Sequence, residues 1–190
     1  GKDRTQDGHE VTWQTSPILW GGVGTDCQHS VFQLMHQGTH LVPVEFIGTK
    51  YADHGEDLHH RKLLANMLAQ SAALMRGRSV EEAREKLQSK GVDEEKLDHI
   101  AASKSFRGNR PSTTILMERM TPRALGNLVA FYEHKTFVAG MLVRINPYDQ
   151  MGVELGKELA TELEGVIAGD HNLPDNYDAS TEALINYIQS

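Results

Sequence analysis

The sequence predicts an α/β fold with a mostly parallel sheet. Three observations carry that expectation. Strand-like runs alternate with helix-like runs along the chain, the order that builds α/β layers. The stretch Phe137–Ile145, apolar but for Arg144, is read as a continuous run, the pattern of a strand covered on both faces. The segment from Leu58 to Arg76 is the longest helical reading, with Leu64, Met67, Leu68, Ser71, Leu74 and Met75 recurring on one face.

The elements follow in order. Residues 1–16 are polar, with a turn signal at Asp7-Gly8, and Ile18 to Trp20 form a short apolar patch. The Gly-rich loop Gly21-Gly22-Val23-Gly24-Thr25 leads to a helix expected from near His29 to just before Gly38, because glycine favours the position after a helix end. Leu41–Ile47 reads as a strand, with Pro43 arguing for an edge or a bulge. Gly77 stops the long helix. Ser79 and Glu82 then have capping-box spacing for a second helix ending before Gly91, and Asp93 caps a third reaching about Ala102. Gly108-Asn109-Arg110-Pro111 is a turn, and Thr113–Met117 a strand. Pro122 suits the first position of a helix whose Leu125, Leu128, Val129 and Tyr132 share a face. After the predicted Phe137–Ile145 strand, a helix is expected from about Gln150 to Val166. A last helix is capped by Asp178 or Ser180. No internal repeat, low-complexity segment or domain boundary is read inside the chain.

Composition narrows the function classes. Hydrophobic residues at 39% and charged residues at 24% fit a soluble globular protein with a real core. The formal net charge of -7, without a Lys/Arg block, argues against nucleic acid or a membrane surface as partner. No apolar run is long enough to span a bilayer. Cys27 is the single cysteine and cannot form an intrachain disulfide, which suits a reducing cytoplasm. Gly1-Lys2-Asp3-Arg4 has no initiator Met and no signal-peptide core, and reads as the start of a processed or truncated chain.

Some residue groups invite chemistry on spacing alone. Gln150, Glu154 and Lys157 recur at i, i+4 and i+7, on one side of a helix opposite Val153, Leu159, Ala160, Leu163 and Ile167. That face is either solvated, with a Glu154–Lys157 ion pair, or a ligand surface. His29 is either a packing histidine or a proton donor and acceptor near neutral pH. His54, His59 and His60 fit no standard zinc spacing and read as a surface helix start. Arg110 reads as a turn-stabilising arginine rather than a phosphate ligand. Cys27 beside His29 has no sequence partner for a nucleophile role, and Gly21–Gly24 lacks the spacing and the lysine of a P-loop.

Several stretches resemble one family. They are Trp20-Gly21-Gly22-Val23-Gly24-Thr25-Asp26-Cys27-Gln28-His29, then Gly108-Asn109-Arg110-Pro111, then Gly140-Met141-Leu142-Val143 followed by Tyr148-Asp149-Gln150-Met151-Gly152-Val153-Glu154 and Lys157. His36-Gln37-Gly38-Thr39, Tyr132-Glu133-His134-Lys135 and Asp178-Ala179-Ser180-Thr181 add to them. Together they resemble the C-terminal part of glucose-6-phosphate isomerases. The family's usual Gly-Glu-Pro-Gly is here Gly21-Gly22-Val23-Gly24, its Asn-Gly is Asp26-Cys27, and its Trp is Met151.

The resemblance implies a three-layer α/β/α sandwich of the SIS sugar-isomerase type plus a C-terminal helix, with residues 1–190 forming the C-terminal domain and the N-terminal part absent. It implies reversible conversion of glucose 6-phosphate to fructose 6-phosphate in the cytoplasm, by ring opening and enediol proton transfer, with no metal and no organic cofactor. Gln150 and Lys157 would face the sugar phosphate. His29 would act in ring opening, in the neighbouring subunit of a homodimer. The family's base is a Glu followed by Ser-Asn-Gly-Lys. Gly1-Lys2 match that Gly-Lys, so the base and the phosphate loop would lie upstream, and this chain alone would be inactive. Glu10, Glu45 and Glu154 are not assigned as the base. The alternative is a non-catalytic sugar-phosphate-binding or assembly module. An upstream Glu-Ser-Asn in the gene would mark a truncated enzyme, and a start codon at Gly1 the module.

Overall fold

The computed structural model describes residues 1–17 and 19–190. The expected apolar patch Ile18–Trp20 therefore lies partly outside the described residues. The fold is mixed α/β, with many helices and a parallel sheet, as the sequence predicts. It groups into two compact units, Pro17–Lys135 and Gly1–Ser16 with Thr136–Ser190.

In the unit Pro17–Lys135, β1 (Val44–Thr49) and β2 (Ser112–Met117) pair in parallel, with Val44 opposite Ser112 and Thr49 opposite Met117. Pro43 precedes β1 instead of interrupting it. A proline has no N–H for the ladder, so pairing begins at the next residue, whose N–H donates to the Pro111 carbonyl at 3.1 Å. The expected helix before β1 is two helices, α1 (Gly24–Ser30) and α2 (Phe32–Gln37), broken at Val31. Phe32 and Met35 of α2 pack with Val44, Phe46 and Leu74 into one core.

Helix α3 (Asp57–Arg76) supplies Leu74, which is fully buried, while Leu64, Met67 and Ser71 are half-buried. Leu68 and Met75, expected on that face, are exposed. Helices α4 (Val80–Gln88) and α5 (Glu94–Ser103) form a hairpin around Ala83, Leu87, Leu97 and Ala101. The Ser79–Glu82 capping box is present, and the Asp93 carboxylate caps α5.

The turn before β2 is built on close backbone approach. Gly108 has φ 68° and Asn109 φ 49°. A Cβ on Gly108 would lie 2.6 Å from the Arg76 carbonyl oxygen, so the position admits only glycine. Arg110 is 8% exposed and donates to the carbonyls of Gly38 at 2.6 Å and His40 at 3.2 Å. Its role is to tie the α2–β1 loop to this turn, in line with the sequence reading.

Helix α6 (Pro122–Leu142) corrects the largest misreading. Phe137–Leu142, expected as a strand, continues this helix. An unbroken apolar run carries no period, so it cannot separate a buried strand from a helix. On α6, Leu128 and Tyr132 are half-buried, whereas Leu125 and Val129 are exposed.

In the other unit, α6 ends at a left-handed residue, Arg144, with φ 62°. The Ile145 N–H donates to the Gly140 carbonyl and the Arg144 N–H to that of Met141, the bond pair of a Schellman motif. A 3-10 turn (Met151–Val153) leads into α7 (Glu154–Ala168), which ends at Gly169 with the same pair of bonds. On the inner face of α7 Val166 is buried and Leu159 and Leu163 are half-buried, while Val153, also expected there, is exposed in the preceding 3-10 turn. Ala160 and Ile167, expected on it, are exposed. Helix α8 (Ala179–Gln189) is capped by Asp178 and buries Ile185. The segment before Ser16 makes a tight turn at Gly8, where Thr5 is buried and hydrogen-bonds both ways with His9.

Candidate functional site

His29 lies in the last turn of α1 and is exposed. Two features of the sequence place it. Asp26 and Cys27 N–H groups both donate to the Val23 carbonyl, so the Gly-rich loop folds directly into the first turn. Phe32, three residues on, is sunk in the core and anchors the next helix. A Cβ on Gly22 would come 2.9 Å from Cys27 Sγ, so the loop lies close against the first turn of α1. The imidazole is thus held on a short, anchored stalk and stays open to solvent.

Gln150 and Lys157 lie in the other unit, on a common segment. Gln150 caps the 3-10 turn, and its carbonyl accepts from the Val153 N–H at 3.1 Å. Lys157 stands one turn into α7. Both side chains are exposed, as is Glu154. No Glu154–Lys157 ion pair forms among the described residues. Gln150 stands before the start of α7 and Lys157 just inside it, with the exposed Glu154 carboxylate between them, and the helix N-terminus adds its own partial positive charge there.

The loop that presents Gln150 is braced from both sides. Gly140 is buried, and a Cβ there would lie 2.6 Å from Pro147 Cγ, so the helix end and the loop meet closely. The Tyr148 N–H donates to Asn146 Oδ1 at 3.1 Å. The Lys2 ammonium donates to the Asp149 carbonyl at 3.1 Å and pairs with the Asp149 carboxylate. This last contact was invisible in the sequence, because its partners stand 147 residues apart.

The remaining candidates have structural partners. Glu45 accepts from Tyr132 at 2.7 Å and from the Lys135 ammonium, and the Lys135 bond, then that of Tyr132, hold its carboxyl below the usual glutamate range. An occupied, strongly ionised carboxylate is a poor proton acceptor. His60 Nε2 meets the carbonyls of Thr49 and Lys50. Among the described residues no three His, Cys, Asp or Glu side chains converge as metal ligands. His36 faces Gln70 at 3.2 Å, and Gln37 donates to the carbonyls of Ser103 and Ser105. A shallow groove of about 370 Å³ lies between the end of β2 and the start of α6. It is lined by Glu118, Arg119, Thr121, Arg123, Ala124 and Asn127, none of them a residue singled out in the sequence.

Comparison with known proteins is decisive. The family described as phosphoglucose isomerase matches residues 1–185. The chain belongs to the phosphoglucose isomerase family. A glucose-6-phosphate isomerase of Bartonella henselae is 49% identical over all of this chain, which covers 34% of that relative. Glucose-6-phosphate isomerase 1 of Neisseria gonorrhoeae is 46% identical over all of the chain, covering 35% of it. The crystal structure of a glucose-6-phosphate isomerase from Chlamydia trachomatis superposes with a TM-score of 0.73 at 39% identity. That match covers 98% of this chain and 33% of the other. The chain thus spans about a third of the length of its phosphoglucose isomerase relatives. No helix among the described residues is long and apolar enough to cross a membrane.

Proposed function

We propose that this chain is the C-terminal third of a cytoplasmic glucose-6-phosphate isomerase, which interconverts glucose 6-phosphate and fructose 6-phosphate. The observation that carries this reading is the family match over residues 1–185, at close to half identity to isomerases three times as long. The resemblance of the stretches around His29, Gln150 and Lys157 to the family's motifs supports it. In this reading the Lys157 ammonium stabilises negative charge that develops on the substrate oxygens, and the Gln150 amide orients the sugar phosphate. His29 passes a proton to or from the ring oxygen, acting in the neighbouring subunit of a homodimer. A carboxylate upstream of Gly1 then moves the proton between C1 and C2 through an enediol. Glu45 does not replace it, because Lys135 and Tyr132 already occupy its oxygens.

Two preparations test this. The 190-residue chain alone should give no specific turnover of fructose 6-phosphate, and a clear rate would overturn the division of labour. A polypeptide of family length that includes the chain should turn over, and His29→Ala should lower its kcat on the order of 10²- to 10⁴-fold. An unchanged kcat would remove His29 from the mechanism.

A further inference from the structure

Resting on the reading of Gln150 as a substrate contact, we infer that Lys2 is a positioning residue that sets the Asp149–Gln150 backbone for the isomerisation. The Lys2 ammonium makes two contacts with one residue, the Asp149 carbonyl at 3.1 Å and the Asp149 carboxylate. Both side chains are about three-quarters buried, at 26% and 25% exposure. Lysine is rarely buried to this degree without a specific partner. Asp149 Oδ1 is itself buried with no hydrogen-bond partner among the described residues, and Lys2 is the cation that faces it as an ion pair.

The lysine is fixed in turn. Its N–H donates to Thr15 Oγ1 at 2.9 Å, and the Thr15 hydroxyl donates back to the Lys2 carbonyl at 2.7 Å. The same N-terminal segment reaches the far end of the loop, where the Gln6 N–H donates to the Arg144 carbonyl and Trp13 Nε1 to that of Val143. The loop from Val143 to Asp149 is therefore strapped at its start and at its end. Gln150 is the first residue beyond the strap. A carbonyl held by an ammonium fixes the peptide plane that joins Asp149 to Gln150. Small displacements of a substrate-orienting group cost up to about a hundredfold in rate.

The test is a double-mutant cycle in a polypeptide of family length that contains this chain. Gln150→Ala and Lys2→Met should each lower kcat/KM, Lys2→Met by on the order of tenfold or more, and the double variant should match Gln150→Ala alone. Lys2→Arg should restore part of the loss. A Lys2→Met effect that multiplies with that of Gln150→Ala, or no Lys2→Met effect, overturns the positioning role and leaves the Gln150 assignment standing. If Gln150→Ala alone changes nothing, the substrate assignment fails and the positioning role falls with it.

Should Lys2→Met fail to fold at that length, Asp149→Asn takes its place in the cycle. That variant keeps the backbone carbonyl and removes only the carboxylate charge. It should lower kcat/KM, though by less than Gln150→Ala, and add nothing to that variant; a neutral Asp149→Asn would overturn the role. Multiplication with Gln150→Ala would again overturn the role.

Discussion

At the scale of single residues, the group around Glu45 offers a measurement that needs no substrate. Burial, then the bond to Glu45, raises the Tyr132 phenol to about 12. Because that folded value lies above the ordinary 10, the neutral phenol favours the folded state, and its contribution is lost as pH rises through 10 to about 12. Glu45 runs the other way. Its folded value lies below 4.5, so its contribution is complete above that pH and is lost as pH falls through the depressed value. Ultraviolet titration of the phenolates should show a component near 12 that is absent in Tyr132→Phe and moves down in Glu45→Gln. A Tyr132 that titrates at the ordinary value would refute the pair.

Neither partner of this group was assigned a role from the sequence. Glu45 lies on β1 and Tyr132 on α6, and only the folded chain brings them together. The same holds for Lys2 and Asp149. What was legible at this scale was local: the Ser79–Glu82 box and the Asp93 and Asp178 caps are encoded within three residues of their partners.

At the scale of elements, helix ends were read better than helix faces. Caps depend on one side chain and one N–H, whereas a face depends on what covers it. Leu68 and Met75 of α3, and Leu125 and Val129 of α6, have helical spacing but nothing packed over them in this chain. The run Phe137–Leu142 failed for a different reason, its lack of period, and the signal that ends the helix is a left-handed arginine rather than a glycine. Two substitutions probe these ends. Ser79→Ala should cost about 1 kcal/mol in denaturant unfolding, since it removes the cap of α4. Gly140→Ala should cost roughly 1–3 kcal/mol, because the new methyl meets Pro147 at a buried position. A neutral Gly140→Ala would mean that Pro147 yields, and that the loop before Gln150 is less tightly held than its contacts indicate.

At the scale of the whole molecule, the amount of uncovered apolar side chain bears on how the protein handles. Leu68, Met75, Leu125, Val129, Phe131, Phe137 and Leu142 are all at least 49% exposed. Parallel sheets are ordinarily covered on both faces, yet Ile47 and Leu116 are 43% and 54% exposed. The 190-residue chain should therefore bind an apolar dye such as ANS at neutral pH, and the charged double variant Leu68→Lys with Met75→Lys should bind less. Dye binding that is absent in the parent chain would show these side chains to be covered in solution.

The parallel pairing of β1 with β2 has a consequence for the order of folding. The strands are separated by all of α3, α4 and α5, so their hydrogen bonds wait on closing a long stretch of chain. The α4–α5 hairpin needs no such closure and has its own small core. During refolding, amides of that hairpin should gain protection first and those of Val44–Thr49 last. Until then the strand edges stand open to other copies, and dilution during renaturation should decide the yield of native protein.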